Sequence, residues 1–225
     1  LYVSGMDHDD YWAGWINRQF YEPELVEQDL VRMKSLGINM VSIQSHDPKY
    51  YRNLLDFLRR CDRHQIHVNL FCGLASPIGF RETQLRAFIQ TAKLAQNPTI
   101  MAYDTIWEPG NSLFRGTGRD RWDRDWRAWI DEQYGDIGSA ETDWNFAARR
   151  DKKGNVTSPP DRYFREDGSW RTMLAAYRRF MDDLTSRKWN RAHRKLKQLD
   201  PNHLVSFRQG NTLPHDFVFT GTPKH

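Results

Sequence analysis

The sequence predicts an α/β protein built on a parallel sheet, from three observations. Short apolar strands alternate with amphipathic helices through the first half, the connections are short, and polar or aromatic residues follow the ends of successive strands. Residues 1–6 read as the first strand, opening into Asp7-His8-Asp9-Asp10-Tyr11-Trp12. Pro23 stands near the first turn of a helix, where its missing N–H costs nothing. Leu25, Val26, Leu30, Met33 and Leu36 follow at helical spacing, and Gly37 supplies the stop. Residues 38–43 form the second strand, ending in Gln44-Ser45-His46-Asp47. The second helix spans 50–64, with Leu54, Leu55, Phe57, Leu58 and Cys61 on its buried side. Residues 66–71 are the third strand, 81–95 the third helix and 100–107 the fourth strand.

After Trp107 the rhythm changes. Residues 110–121 read as a loop, and Trp122, Trp126 and Trp129 then recur at helical spacing up to Tyr134-Gly135. That spacing makes a buried stripe. A short helix is expected at 139–148, a loop at 152–168 and a long helix at 169–199, with Leu174, Tyr177, Phe180, Met181 and Leu184 inward. Trp170, Tyr177 and Phe180 are expected in the core by the same logic. Asp200-Pro201-Asn202 breaks the long helix, residues 203–207 form strand five, and 216–220 are the candidate for strand six.

Two parallel architectures compete, the (β/α)8 barrel and the open doubly wound sheet. The open nucleotide-binding sheet carries a glycine-rich turn after its first strand; here Asp, His, Tyr and Trp hold that place. Polar groups at the carboxyl ends of successive strands are the habit of a barrel. A complete barrel takes about 250 residues. This sequence spends 110–170 on an insertion and accounts for five or six strands by His225. The expectation is that 1–225 is the N-terminal part of a single (β/α)8 TIM barrel, with strands seven and eight beyond residue 225.

Composition narrows the function classes. Thirty-three Lys and Arg stand against 29 Asp and Glu, leaving +4, and 39% hydrophobic with 28% charged residues excludes a disordered chain. The pI is near 9.1, but the basic residues are scattered among acids, and the densest stretch, 187–197, reads as a solvated helix face. No nucleic-acid partner is expected. No apolar run approaches the roughly 20 residues of a membrane span. Cys61 and Cys72 have neither metal nor redox spacing, and no cluster of His and acids has metal-ligand spacing, so neither metal nor cofactor is expected. Nine Trp, nine Tyr and 12 Phe suit either stacking on flat ligands or an aromatic core.

The sharpest local feature is Ile100-Met101-Ala102-Tyr103-Asp104-Thr105-Ile106-Trp107-Glu108-Pro109. It puts a carboxylate at the carboxyl end of strand four, between a Trp and a Pro that has no ladder donor. A Glu in such a wall can serve as a general acid; a loop-anchoring carboxylate is the structural alternative.

From Asn97-Pro98 to Glu108-Pro109 the pattern resembles the acid/base motif of glycoside hydrolase clan A, the retaining (β/α)8 enzymes that include family five and family forty-two members. The stretch from Trp126 to Gly135, followed by Ala140-Glu141-Thr142-Asp143-Trp144-Asn145, is similar to a segment after that motif in family-forty-two-like enzymes, and 23–41 looks like the clan's first helix and second strand. The resemblance implies a carbohydrate substrate and Glu108 as acid/base, protonating the leaving oxygen and later activating water. The nucleophile would be a second carboxylate about 5–5.5 Å away, at the end of strand seven and so outside these residues. It also implies secretion or a periplasmic location. In the clan an Asn stands directly before the acid/base; here Trp107 does, an indole with one donor and no acceptor. A carbohydrate-binding barrel without a complete catalytic pair therefore remains as the alternative. Under either reading His8 and Trp12 after strand one, Gln44 and His46 after strand two, and Arg208, Gln209 and Asn211 after strand five are candidates for contacting sugar. Trp107 lines the same place, Asn111 lies close behind Glu108 and would orient it, and Phe71 and Cys72 pack the end of strand three. Oligomeric state is left open.

Overall fold

The computed structural model describes residues 2–3, 16, 21–43, 48–107 and 116–208. They form two compact units, one reaching to Trp107 and resuming at Arg191–Arg208, the other spanning 116–190.

In the first unit, strands β1 (Tyr2–Val3), β2 (Met40–Ile43), β3 (His67–Phe71), β4 (Ile100–Trp107) and β5 (Leu204–Arg208) lie side by side in chain order. Every neighbouring pair is parallel. Parallel neighbours need a crossover, and helices α1 (Pro23–Ser35), α2 (Tyr51–Arg63) and α3 (Glu82–Thr91) stand between the first four strands. Two helices stop in the same way. Gly37, at φ +75, donates to Lys34 O while Ile38 N reaches Met33 O, which satisfies carbonyls left over at the end of α1. After α2, Gln65 takes the left-handed position without being glycine (φ +54), and Ile66 N reaches Cys61 O.

One face of the sheet is apolar. Val41, Ile43, Val68, Leu70 and Tyr103 join Val26, Leu30, Met33, Leu54, Phe57, Leu58, Leu85, Phe88 and Ile89 of the helices in one core. Two expectations need correction here. Leu25 and Leu36, at helical spacing in the sequence, are 38% and 70% exposed, because Val26, Leu30 and Met33 already cover the sheet and Leu36 caps the helix rather than continuing it. The third helix ends at Thr91, not residue 95. Lys93 turns left-handed (φ +49), and Leu94–Gln96 form a single tight turn before Asn97-Pro98, whose proline disfavours helix at the residue before it.

Outside α1 and α2 a charge cluster ties the two helices. Glu27 meets His64, Arg60 and Arg63, and Asp56 meets Tyr21, Arg59 and Arg60. The hydrogen bond from His64, joined by those of Arg60 and Arg63, holds Glu27 down from 4.5 to about 2 against the effect of burial. For Asp56 burial pulls upward, yet Tyr21, Arg60 and Arg59 together lower it from 3.8 to about 2. Both carboxylates are depressed in the folded state, so their contribution is present above the unfolded values and is lost as pH falls toward about 2. The urea midpoint of the wild type should therefore fall on acidification through this window, and Glu27→Gln should flatten the fall. An identical slope in the variant would show that Glu27 adds nothing.

The second unit is helical: α4 (Asp123–Tyr134), α5 (Ile137–Trp144), α6 (Asp161–Arg165) and the part of α7 (Arg171–Leu199) up to Asn190. Trp126 is its centre, stacked on Trp129 and Trp144 at 5.4 and 5.8 Å between ring centroids and flanked by Tyr177 and Phe180. Trp122, Trp126 and Trp129 are buried, as their spacing predicts, and so are Leu174, Tyr177, Phe180, Met181 and Leu184. Trp170 differs from expectation: it precedes α7, is half-buried and stacks on Tyr163 at 4.3 Å. The stretch 152–168, expected to be loop, contains α6 and the end of a small turn closed by the bridge Arg150↔Val156. Tertiary clips order it. Asp161 accepts from Gly116 N and pairs with Arg119, whose guanidinium lies over Phe164; Ser158 donates to Asp123 and accepts from Tyr177. Residues 116–121, also expected to be loop, belong to the 3-10 helix Gly116–Trp122, held by the same contacts.

Candidate active site

Because every strand pair is parallel, the carboxyl ends of all the strands gather at one edge of the sheet. The described strands reach that edge at Ile43, Phe71, Trp107 and Arg208. Register brings two of the expected site residues together, since Trp107 pairs with Arg208; only their backbone positions are described. Glu108 and Asn111, like His8, Trp12, Gln44, His46, Gln209 and Asn211, lie outside the described residues, as does the candidate sixth strand at 216–220.

The approach to Glu108 is not a regular strand. Asp104 faces Ser206 and Trp107 faces Arg208, so three steps along β4 match two along β5. An extra residue of this kind bends a strand and re-aims the side chains beyond it. Thr105 Oγ1 donates to Ser206 O across the irregularity at 3.1 Å.

The face of the sheet away from the helices holds residues that sequence reasoning did not single out. Ser42 on β2, Asn69 on β3, Ala102 and Asp104 on β4 and Ser206 on β5 share it by register. Asp104 and Ser42 are buried, Asn69 and Ser206 half-buried. Asn69 Nδ2 donates to Ser42 Oγ at 3.4 Å, and Ser206 Oγ donates to Asn69 Oδ1 at 3.1 Å. A signal was available: strands covered on both faces read as unbroken apolar runs, and each of these polar residues interrupts one.

A second buried polar group sits toward the opposite edge. Tyr103 and His203 both hydrogen-bond Asp200 Oδ2 at 2.7 Å, and His203 Nε2 meets Asn97 O at 2.9 Å. Burial would raise the Asp200 carboxyl, but the bonds from His203, Tyr103 and two backbone N–H groups outweigh it and lower the pKa. The Tyr103 hydroxyl is pushed up by burial and by that carboxylate. Asp200 and Asn97 precede their strands, the side that in barrels serves stability. Both cysteines are buried and unbridged, Cys72 pushed up to about 12 by burial, so neither is a nucleophile. Among the described residues no helix is long and apolar enough to cross a membrane, and no three His, Cys, Asp or Glu converge as metal ligands.

No family model matches the sequence, and no curated protein does. Solved structures do. A β-galactosidase from Rahnella sp. R3 is 17% identical over 83% of this chain and 33% of its own, with a TM-score of 0.56. The polyextremophilic β-galactosidase of the Antarctic haloarchaeon Halorubrum lacusprofundi is 16% identical over 87% of this chain and 36% of its own, at 0.58. The agarase AgWH50C is 13% identical over 95% of this chain and 32% of its own, at 0.52. The chain thus spans about a third of the length of the structures it resembles. At such identities the shared property is the fold, an arrangement of parallel strands and helices also found in these glycosidases.

Proposed function

We propose that this chain carries the N-terminal part of the (β/α)8 catalytic barrel of a retaining glycoside hydrolase acting on β-linked oligo- or polysaccharides. One observation carries the reading: β4 runs to Trp107 at the edge where the parallel strands end, and the next residue in the sequence is Glu108. The fold shared with β-galactosidases and agarases supports a carbohydrate substrate, and secretion or a periplasmic location fits such a substrate. The second unit elaborates the connection between β4 and β5, with 110–170 as the insertion.

In this mechanism Glu108 protonates the glycosidic oxygen as the bond to the anomeric carbon breaks and the second carboxylate attacks that carbon from the other face. Glu108, now ionised, takes a proton from water, which displaces the enzyme carboxylate and restores the anomeric configuration. The nucleophile belongs to strand seven, outside residues 1–225. Two carboxylates suffice, with neither metal nor cofactor. The second reading is a carbohydrate-binding barrel without turnover. Trp107 favours it, because an indole cannot accept the bond that the clan's Asn takes from a sugar hydroxyl.

The test uses the full-length polypeptide on a panel of aryl β-glycosides, with the first-formed product anomer read by proton NMR. Release of the β anomer is expected. The α anomer would overturn retention, saturable sugar binding without turnover would select the binding barrel, and neither binding nor turnover would overturn both.

A further inference from the structure

The polar face of the sheet is used neither by the helix core nor by the acid/base chemistry assigned to Glu108. Its geometry is unusual for the middle of a parallel sheet. Asn69 and Ser206 lie on β3 and β5, with β4 between them, and neighbouring strands are about 4.8 Å apart. Their side chains still meet at 3.1 Å. Short side chains on alternate strands of a flat sheet could not do so, so the sheet is concave on this face. Ala102 stands in register with Asn69 and has no atoms beyond Cβ, which leaves the path open. This polar layer lies one residue before the end of β2 and two before the ends of β3 and β5, about 3–7 Å below the carboxyl edge.

The hydrogen-bond accounting of Asn69 is incomplete. A carboxamide has two N–H donors and two acceptor lone pairs. Asn69 gives one N–H to Ser42 and accepts one bond from Ser206. One donor and one acceptor remain on a half-buried side chain facing the concavity. The Ser42 and Ser206 hydroxyls, one on each side, hold the plane of the amide. The site is therefore oriented before any ligand arrives.

We infer that Asn69 is a specificity-determining residue that reads one hydroxyl of the bound sugar, with Ser42 and Ser206 fixing the orientation of its amide. A sugar hydroxyl donates and accepts at once, which matches the adjacent N–H and C=O left over on Asn69. An apolar group in that place would leave both unpaired. This inference rests on the carbohydrate reading and adds to it the residue that selects among sugars.

The experiment measures kcat/KM for an aryl β-glycoside and its monodeoxy analogues, each lacking one ring hydroxyl, with the full-length wild type, Asn69→Ala and Ser206→Ala. In the wild type, loss of one particular hydroxyl should cost about tenfold through the bond to Asn69. Asn69→Ala should abolish the penalty at that ring position and leave the other positions as they were. Ser206→Ala keeps the amide but frees its orientation, and should reduce the same penalty. It also serves as the test if Asn69→Ala does not fold. A pattern of penalties unchanged in both variants, or a uniform drop across the series, overturns the inference and makes Asn69 a structural bridge while the hydrolase reading stands. Absence of glycoside turnover and binding in the wild type overturns the carbohydrate reading, and this inference with it.

Discussion

Glu108→Ala in the full-length polypeptide should slow hydrolysis of unactivated β-glycosides by about 10²–10⁴-fold, the range that a positioned proton donor contributes. The two half-reactions should respond differently. A dinitrophenyl leaving group departs without protonation, so glycosylation of the nucleophile by such a substrate should be nearly unaffected. Deglycosylation needs a base to activate water and should become rate-limiting, giving a burst of released phenol followed by slow turnover. Azide needs no base, so adding it should restore turnover and yield a β-glycosyl azide, the retained configuration. If the variant hydrolyses alkyl and activated aryl glycosides as the wild type does, Glu108 is a loop carboxylate and the assignment falls.

Trp126→Ala should destabilise the second unit by about 3–5 kcal/mol, the cost of removing a large buried aromatic and leaving a cavity. Trp126 is fully buried and touches Trp129, Trp144, Tyr177 and Phe180 on its sides. Its indole N–H has no hydrogen-bond partner, so its contribution comes from packing alone. Trp126→Phe should then cost much less, under about 1.5 kcal/mol, as a swap that keeps most of the volume. Trp129 makes the contrast. Its Nε1 donates to the exposed Asp183 at 2.7 Å, and Trp129→Phe exchanges that bond for one from water. Urea unfolding followed by circular dichroism checks all three. An alanine variant within 1 kcal/mol of wild type would show that the neighbours collapse into the space and that the stack is not the unit's core.

The readable elements share one property: their pattern depends on burial, which the chain writes into its own composition. β4 occupies the residues its apolar run predicts, Gly37 ends α1 at the position where only a left-handed residue fits, and the Trp spacing of α4 marks an inward stripe. Other elements depend on partners distant in sequence. α6 lies in a Gly-, Asp- and Pro-rich stretch and is held by Asp161 against Arg119 and Gly116, 42 and 45 residues away. Leu36 has the right spacing for the core yet sits at the cap of its helix, exposed. The candidate site divides in the same way. A Glu after an apolar strand is visible in one line of sequence, whereas the partners of Asn69, Ser42 and Ser206, lie on other strands.

Three features are legible in the amino-acid order: the alternation of strand and helix, the parallel sheet that follows from it, and the position of Glu108 one residue past the fourth strand. Those are local facts, set by periodicity and by the backbone needs of proline and glycine. Which residues share a face and reach each other follows instead from the folded sheet. The pairing of Trp107 with Arg208, the irregular step in β4 after Asp104, and the bridge from Asn69 over Ala102 to Ser206 all depend on register and curvature. Asn69 and Ser206, which meet in that bridge, are 137 apart in the chain, a separation at which no short-range pattern reports which side chains will meet.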